Sequence, residues 1–453
     1  MQPSQQAVET RPVPPAPVPE RTRPRRRVNR LVADWNTTPG KLRLTRTVLV
    51  IGIALAGVVG VIDANDRVNT TRDIAERLEP LNANVTTLYW SLADADATVA
   101  AGFLSGGVES GEVRARYDHD ITEATASLAK AGAQASGELV SANRIADITT
   151  QLPVYTGLVE RARANNRQGL AVGATYLRRA SELMRSSILP EAAELQRRQA
   201  SRLNDAYQRA GSVPVVALVA CGASVAGLIW VQIFLFQRTH RVVNIGLVAA
   251  SGAVLAGLVW WTAAGTASAD SLARSLGHSR SVSDALGPAQ IAALQARAVE
   301  SLGLVARDGG NERDFDARMQ QLARNGGVGG ALGAANQFAT DPQGRMLVQA
   351  AVEKARTYAA AHQEVRRLDD AGEYTKAVEI AVGTQETSAA TAFKQLDEAL
   401  GSAVEYERGA FEKDIARARG QLIDLLAFGI GTLAVIAAFG VALGVRQRLE
   451  EYR

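Results

Sequence analysis

The residue types from which catalytic and metal centres are built are scarce in this chain, whose 453 residues include four histidines and one cysteine. His119, His240, His278 and His362 lie far apart, without metal-ligand spacing. His362 continues an apolar stripe and reads as a residue packed within a helical bundle. Cys221 closes the tetrad Leu218-Val219-Ala220-Cys221, which imitates a lipoprotein attachment motif, but such a motif belongs near an amino terminus. Cys221 therefore reads as a buried residue of a membrane span, and a single cysteine can form no intramolecular disulfide. Asp94 and Asp96, two apart on a helix, face different ways, so they cannot act as a carboxylate pair and read as solvated flanks. The run Asn325-Gly326-Gly327-Val328-Gly329-Gly330 has the glycine content of a phosphate loop, without the following Lys-Ser/Thr or the preceding strand. It reads as a flexible loop. Gly-x-Ser-x-Gly, His-Glu-x-x-His and kinase signatures are all missing, so the expectation is a protein that is not an enzyme and uses no cofactor or metal.

Recognition is the chemistry that remains. Ser105, Gly106 and Gly107 in the first half, with Arg163, Arg167 and Gly169, combine glycine for close approach with charge for steering a partner. Arg307, Asp369 and Asp370 take the same places in the second half. Near the amino terminus Arg25, Arg26 and Arg27, with Trp35 beside them, suit contact with anionic membrane lipids or a cytoplasmic protein. No basic stripe with interleaved aromatics is present, so nucleic acid is not an expected partner.

Hydropathy sets the elements that must position these residues. Apolar residues make up 47% of the chain but collect in four runs. Spans are predicted at 47–62, 213–236, 242–265 and 421–445, the last around the uncharged run 425–445. A hydrocarbon slab of about 30 Å needs roughly 20 such residues, which makes this a multi-pass membrane protein. Lys and Arg concentrate in short segments. The first 46 residues carry ten basic against three acidic side chains, the loop 237–241 holds Arg238 and Arg241, and the tail 446–453 has three arginines. Excess Lys and Arg mark the cytoplasmic side, so both termini are predicted inside and residues 63–212 and 266–420 outside the cell membrane. Residues 12–19, rich in proline, should be extended and unfolded within the basic tail 1–46.

The two outer segments share landmarks. Gly106-Gly107 and Gly309-Gly310, Tyr155 and Tyr358, and Gly169 and Gly372 are each 203 residues apart (309 − 106, 358 − 155, 372 − 169). This predicts a tandem duplication of span, outer domain and span. Leu78, Leu81, Val85, Leu88, Leu92, Ala95 and Val99 recur at alternating three and four, the seam of a bundled helix. Ile145, Ile148, Leu152, Tyr155 and Val159 repeat the rhythm. Breaks at 105–107, 132–137 and 168–169 divide the domain into four helices, with kinks expected at Pro153 and Pro190. The second domain shows the same plan more weakly. No period-two alternation appears, so the fold class is all-α: four transmembrane helices carrying two four-helix-bundle-like outer domains.

Helical domains held between two spans resemble the four-helix-bundle sensors of bacterial chemoreceptors, although no HAMP, methylation or kinase segment follows. Ala93-Asp94-Ala95-Asp96-Ala97-Thr98, Phe103-Leu104-Ser105-Gly106-Gly107, Ala162-Arg163-Ala164-Asn165-Asn166-Arg167-Gln168-Gly169 and Leu294-Gln295-Ala296-Arg297-Ala298 resemble the actinobacterial four-span GlnX family. That resemblance implies a protein linking an extracytoplasmic glutamine/aspartate-type solute-binding lipoprotein to a cytoplasmic Ser/Thr kinase, protein kinase G. The expected function is a non-enzymatic relay of the binding protein's state. The alternatives are a sensor that binds a small ligand directly and a membrane scaffold. A homo-oligomer or an intramolecular pseudo-dimer would each suit the duplicated plan.

Overall fold

The computed structural model describes residues 38–104, 109–134, 139–212, 215–239, 245–307, 312–339, 341–424 and 431–450. Among them the fold is all-α. Helix α1 runs from Thr38–Asp73 through a π turn, Ile74–Leu78, into Glu79–Leu104. Its 67 residues (36 + 5 + 26) would extend about 100 Å at 1.5 Å per residue. The first bundle continues with α2 (Gly111–Gln134), α3 (Leu139–Arg167) and α4, which is Val172–Leu183, a π turn Met184–Ile188, and Leu189–Ala210. Helix α5 (Val215–Thr239) leads to α6, built from Ile245–Arg280, a π turn Ser281–Leu286, and Gly287–Ala306. The second bundle adds α7 (Glu312–Leu322), α8 (Gly330–Phe338), α9 (Pro342–Asp370), α10 (Tyr374–Val382) and α11 (Ala389–Asp424), and α12 (Gly431–Glu450) follows.

The three π turns share a cause. Each ends within two residues of a proline, Pro80, Pro190 or Pro288. Proline lacks an N–H, and its ring collides with the carbonyl four residues back; one extra residue in the turn moves that carbonyl aside, so the helix continues. The break expected at Pro190 is therefore a bulge, and α3 passes through Pro153 uninterrupted.

Among the described residues three helical stretches are long and apolar enough to cross a membrane, within Thr47–Leu104, Val172–Ile233 (where α5 supplies the apolar part) and Val248–Ala306, with a shorter apolar helix at Thr432–Leu443. Leu49, Ile53, Leu228, Val231, Ala250, Ala253, Ala437 and Val441 bring all four apolar segments into one cluster. Small residues set the approach. A Cβ on Gly57 would lie 2.7 Å from Ala434, and one on Gly440 would lie 2.9 Å from the Gly246 carbonyl. Gln232 donates to Ser251 across this interface at 2.8 Å. Val48, Ile51, Leu55, Val58 and Ile62 point outward as a membrane-facing side would.

Above the spans the two bundles share one core. The seam read from Leu88 to Val99 predicted one buried face, but residues 91–100 of α1 are all buried. Helix α6 covers the opposite face: Ala289, Ile291, Ala292, Ala293, Leu294, Ala296, Ala298 and Val299 belong to the same core as Leu88, Leu92, Ala95 and Val99. A helix buried all round is a central element, and here two such helices lie side by side. The second bundle departs from the simple plan. Helix α8 is an extra short element, and the glycine run before it is an ordered turn rather than a flexible loop. Asn325–Gly327 forms a 3-10 turn, and Arg324 and Gly329 exchange backbone hydrogen bonds of 3.0 and 2.9 Å. Gly326, Gly327 and Gly330, at φ 67°, 90° and 77°, supply the left-handed conformations that this turn needs.

A Cβ on Gly287 would lie 3.7 Å from Thr86 Cγ2 across the α1/α6 contact. With Cys221→Ser as background, Thr86→Cys combined with Gly287→Cys should therefore form a disulfide within one chain on oxidation. Non-reducing electrophoresis should show a faster monomer band, whereas dimer bands alone would contradict the packing.

Candidate functional site

The long central helices are rich in alanine and leucine and buried on all sides, so the charges on them need partners. Asp94 is 1% exposed and receives a bidentate pair from Arg116 of α2, at 2.9 Å to each oxygen. Arg116 Nη2 also donates to Asp397 of α11 at 3.0 Å, joining the two bundles. Asp120, one turn along α2, is equally buried. Burial first, and then the neighbouring Asp94 carboxylate, push its pKa up to about 9. One guanidinium thus pairs with two carboxylates, and the third carboxyl, Asp120, sits beside Asp94 and holds a proton at neutral pH. Asp96, on another face of α1, accepts from Ser181 at 2.6 Å and from Tyr155 at 3.5 Å, and burial raises its pKa. Asp94 and Asp96 do diverge, but both are buried rather than solvated, because the second bundle and α4 cover the faces that would otherwise meet water.

The second bundle has a matching layer. Glu300 of α6 meets Arg297, accepts from Tyr358 at 3.1 Å and contacts His362 Nδ1 at 2.8 Å. Burial works against the Glu300 carboxylate, yet Arg297 and His362 outweigh it and lower its pKa. His362 stacks on Phe315 with ring centroids 3.4 Å apart and is a bundle residue, as its stripe indicated. Lower down, His278 joins α6 to α11 through Glu407, whose hydrogen bond raises the imidazole pKa.

The far ends of the bundles are the second polar region. In the first, the ends of α1 and α3 meet the starts of α2 and α4 around a cleft of about 130 Å³, lined by Gly102, Phe103, Glu109, Arg114, Arg163 and Arg167 among others. Arg163 lies over the Tyr117 ring at 4.3 Å and binds Glu109 at 2.8 and 3.0 Å and Glu160 at 2.8 Å. It is 8% exposed, so it is a wall of the cleft and not the free steering charge expected. Arg167 is exposed on the rim, and Gly169, at φ 68°, turns the chain into α4. In the second bundle Arg366 draws in Glu312, Asp369 and Asp370 at 3.3, 2.9 and 2.7 Å. Arg307 ends α6 in the left-handed region and lies 4.2 Å from the Tyr374 ring centre. The structure therefore gathers Arg163 with Arg167 at one tip, and Asp369 with Asp370 at the other. Ser105, Gly106, Gly107, Arg25, Arg26, Arg27 and Trp35 lie outside the described residues.

Sequence reasoning missed Arg116, Asp120, Asp397 and Glu300. Glu300 had one available signal, a charge on a helix rich in alanine and leucine, where only a paired charge is tolerated; Arg116, Asp120 and Asp397 lie on helices with many other charges and had none.

Residues 70–208 match a family model described as an actinobacterial sensor domain. The match covers the first bundle and supports a sensing role in a membrane protein. No curated protein and no solved structure matches the chain.

Because folded Asp120 keeps its proton up to about pH 9 while an unperturbed carboxyl releases it near 3.8, stability should fall as pH rises across that window. Asp120→Asn removes this titration. The loss of melting temperature between about pH 5 and about pH 8.5 should shrink in the variant by several degrees, at roughly 2–4 °C per kcal/mol for a protein of this size. An unchanged pH profile, followed by circular dichroism in detergent, would contradict the assignment.

Proposed function

We propose that this chain is a non-enzymatic transmembrane signal transducer with four spans and both termini in the cytoplasm. The observation that carries the reading is the continuity of α1, a single helix running from an apolar segment into the centre of the domain with sensor-family similarity. A displacement of order 1–2 Å at the outer end can travel along such a helix, because packed helices shift as rigid elements. In line with the GlnX-like motifs, the outer input is a solute-binding lipoprotein carrying an amino acid, and the inner reader is a Ser/Thr kinase.

The tandem duplication belongs to this reading. In its support, Gly169 and Gly372 both adopt left-handed conformations, at φ 68° and 78°. Each donates 2.9 Å to the carbonyl three residues back, from Asn166 and Asp369, which are also 203 positions apart (369 − 166). The two halves would then act as an intramolecular pseudo-dimer. A second reading, direct sensing of a small solute, is favoured by the cleft beside Arg163.

Two measurements test the proposal. In Cys221→Ser cells, an impermeant maleimide should label Ser110→Cys from outside but reach Thr22→Cys only after permeabilisation; the reverse pattern would overturn the mechanism. Affinity capture from membranes should retrieve a solute-binding lipoprotein and a Ser/Thr kinase. Charge reversal at Arg167 and Asp370 together should reduce lipoprotein capture by about tenfold at low salt, with less effect at high salt and helical content unchanged.

A further inference from the structure

We infer that the cleft at the first bundle's tip is a binding socket for a small carboxylate-bearing solute, and that the second bundle holds the same socket filled by its own side chains.

The comparison is residue by residue at the 203 offset. Glu109 and Arg163 correspond to Glu312 and Arg366, and both pairs are joined, at 2.8 Å and 3.3 Å. Around that shared pair the halves diverge. In the second bundle Asp369 and Asp370 add two carboxylates to Arg366, and His362 contacts Glu312 at 3.3 Å while stacking on Phe315. Only about 20 Å³ stays open there. At the corresponding positions the first bundle has Asn166, Arg167 and Val159. The two acids have become an amide and a guanidinium, and the imidazole has become an aliphatic side chain.

Loss of those groups leaves about 130 Å³, roughly the volume of four liquid waters, which suits a carboxylate of a few carbon atoms. Gly102 contributes to the opening, since a Cβ there would lie 2.7 Å from Val113 and 2.9 Å from Glu109. Arg114, Arg163 and Arg167 line the cleft with Glu109; Arg114 is paired with Asp118 and Glu160, and Arg163 with Glu109 and Glu160, whereas Arg167 makes no ion pair among the described residues. Glu109 already demonstrates the chemistry. One oxygen accepts from Arg163 Nη2 at 3.0 Å and the other lies 2.8 Å from Nε, so it acts as a tethered occupant that a solute supplements at Arg167 or displaces from Arg163. The floor of Val99, Phe103 and Ala162 would take the aliphatic part. Displacement would free the start of α2, the helix that carries Arg116 and Asp120 at the bundle interface. This consequence rests on the sensor reading; the binding itself does not.

The test is calorimetric titration of the full-length chain in nanodiscs with succinate, L-glutamate, L-aspartate and, as the uncharged control, succinamide. At least one carboxylate should bind, and the control should not. Arg167→Asp with Val159→His, which copies the second bundle, should weaken binding by about tenfold or more, with unchanged circular dichroism. Glu109→Gln should tighten it, a readout that a merely structural role would not give. Absence of heat from every carboxylate, with the native chain and with Glu109→Gln, would overturn the inference, as would binding indifferent to the double variant. Failure to bind any small carboxylate, with lipoprotein capture lost in Arg167→Asp, would assign the tip to a protein partner and leave the sensor reading intact. Binding that leaves the rate of Thr86→Cys/Gly287→Cys crosslinking unchanged would keep the socket and count against signalling.

Discussion

Everything above the membrane depends on the close packing of two alanine-rich helices, the upper halves of α1 and α6. Their small side chains let the helices approach, and the approach buries both on all sides. Charges on such helices cannot reach water, and an isolated buried charge is far too costly to persist. Asp94 therefore recruits Arg116 and Asp397, Asp96 recruits Ser181 and Tyr155, and Glu300 recruits Arg297, Tyr358 and His362. Apart from Arg297, which lies on α6 itself, these partners come from five surrounding helices, α2, α3, α4, α9 and α11. The polar layer thus fixes the register of the outer helices around the central pair. Removing one member of a buried ion pair typically costs about 3–5 kcal/mol, so these contacts tolerate few alternative arrangements.

The same packing gives the molecule a route for information. The central helices continue through their π turns into the apolar segments, and the outer helices touch the central pair through specific charges. Glu79, just above the first π turn, lies 3.4 Å from Ser279, just below the start of the other, and burial pushes its pKa up to about 7. The two bulges therefore flank this contact, one just below it and one just above.

Much of this fold could be read in the sequence, because each cue had a local physical cause. Heptad-like spacing marked α1 and α3, apolar runs marked the membrane segments, and Gly169 and Gly372 marked the turns that end α3 and α9. The shared core was harder to read. Ala93, Ala95, Ala97 and Ala100 are weak as a hydrophobic stripe, but small residues are what a close helix contact requires, and that face was read as solvent. The same error placed Asp94 and Asp96 in water. At the tip, Arg163 was recognised as important but taken for a surface charge. Its burial depends on Glu109, 54 positions away, and on the Tyr117 ring, contacts that no local pattern encodes. The π turns were equally hidden, since a proline inside a helix signals a problem without indicating which solution the backbone adopts.

The central claim is that the two bundles form one cooperative body through α1 and α6 of a single chain. Native-state hydrogen exchange on the full-length protein in nanodiscs measures this directly. Amides of Glu79–Leu104 and Gly287–Ala306 should be the slowest outside the membrane, and should open together with one free energy and one denaturant dependence. Exchange of the second bundle's central helix in a separate, lower-energy opening while the first stays closed would show two independent domains, and would contradict the account.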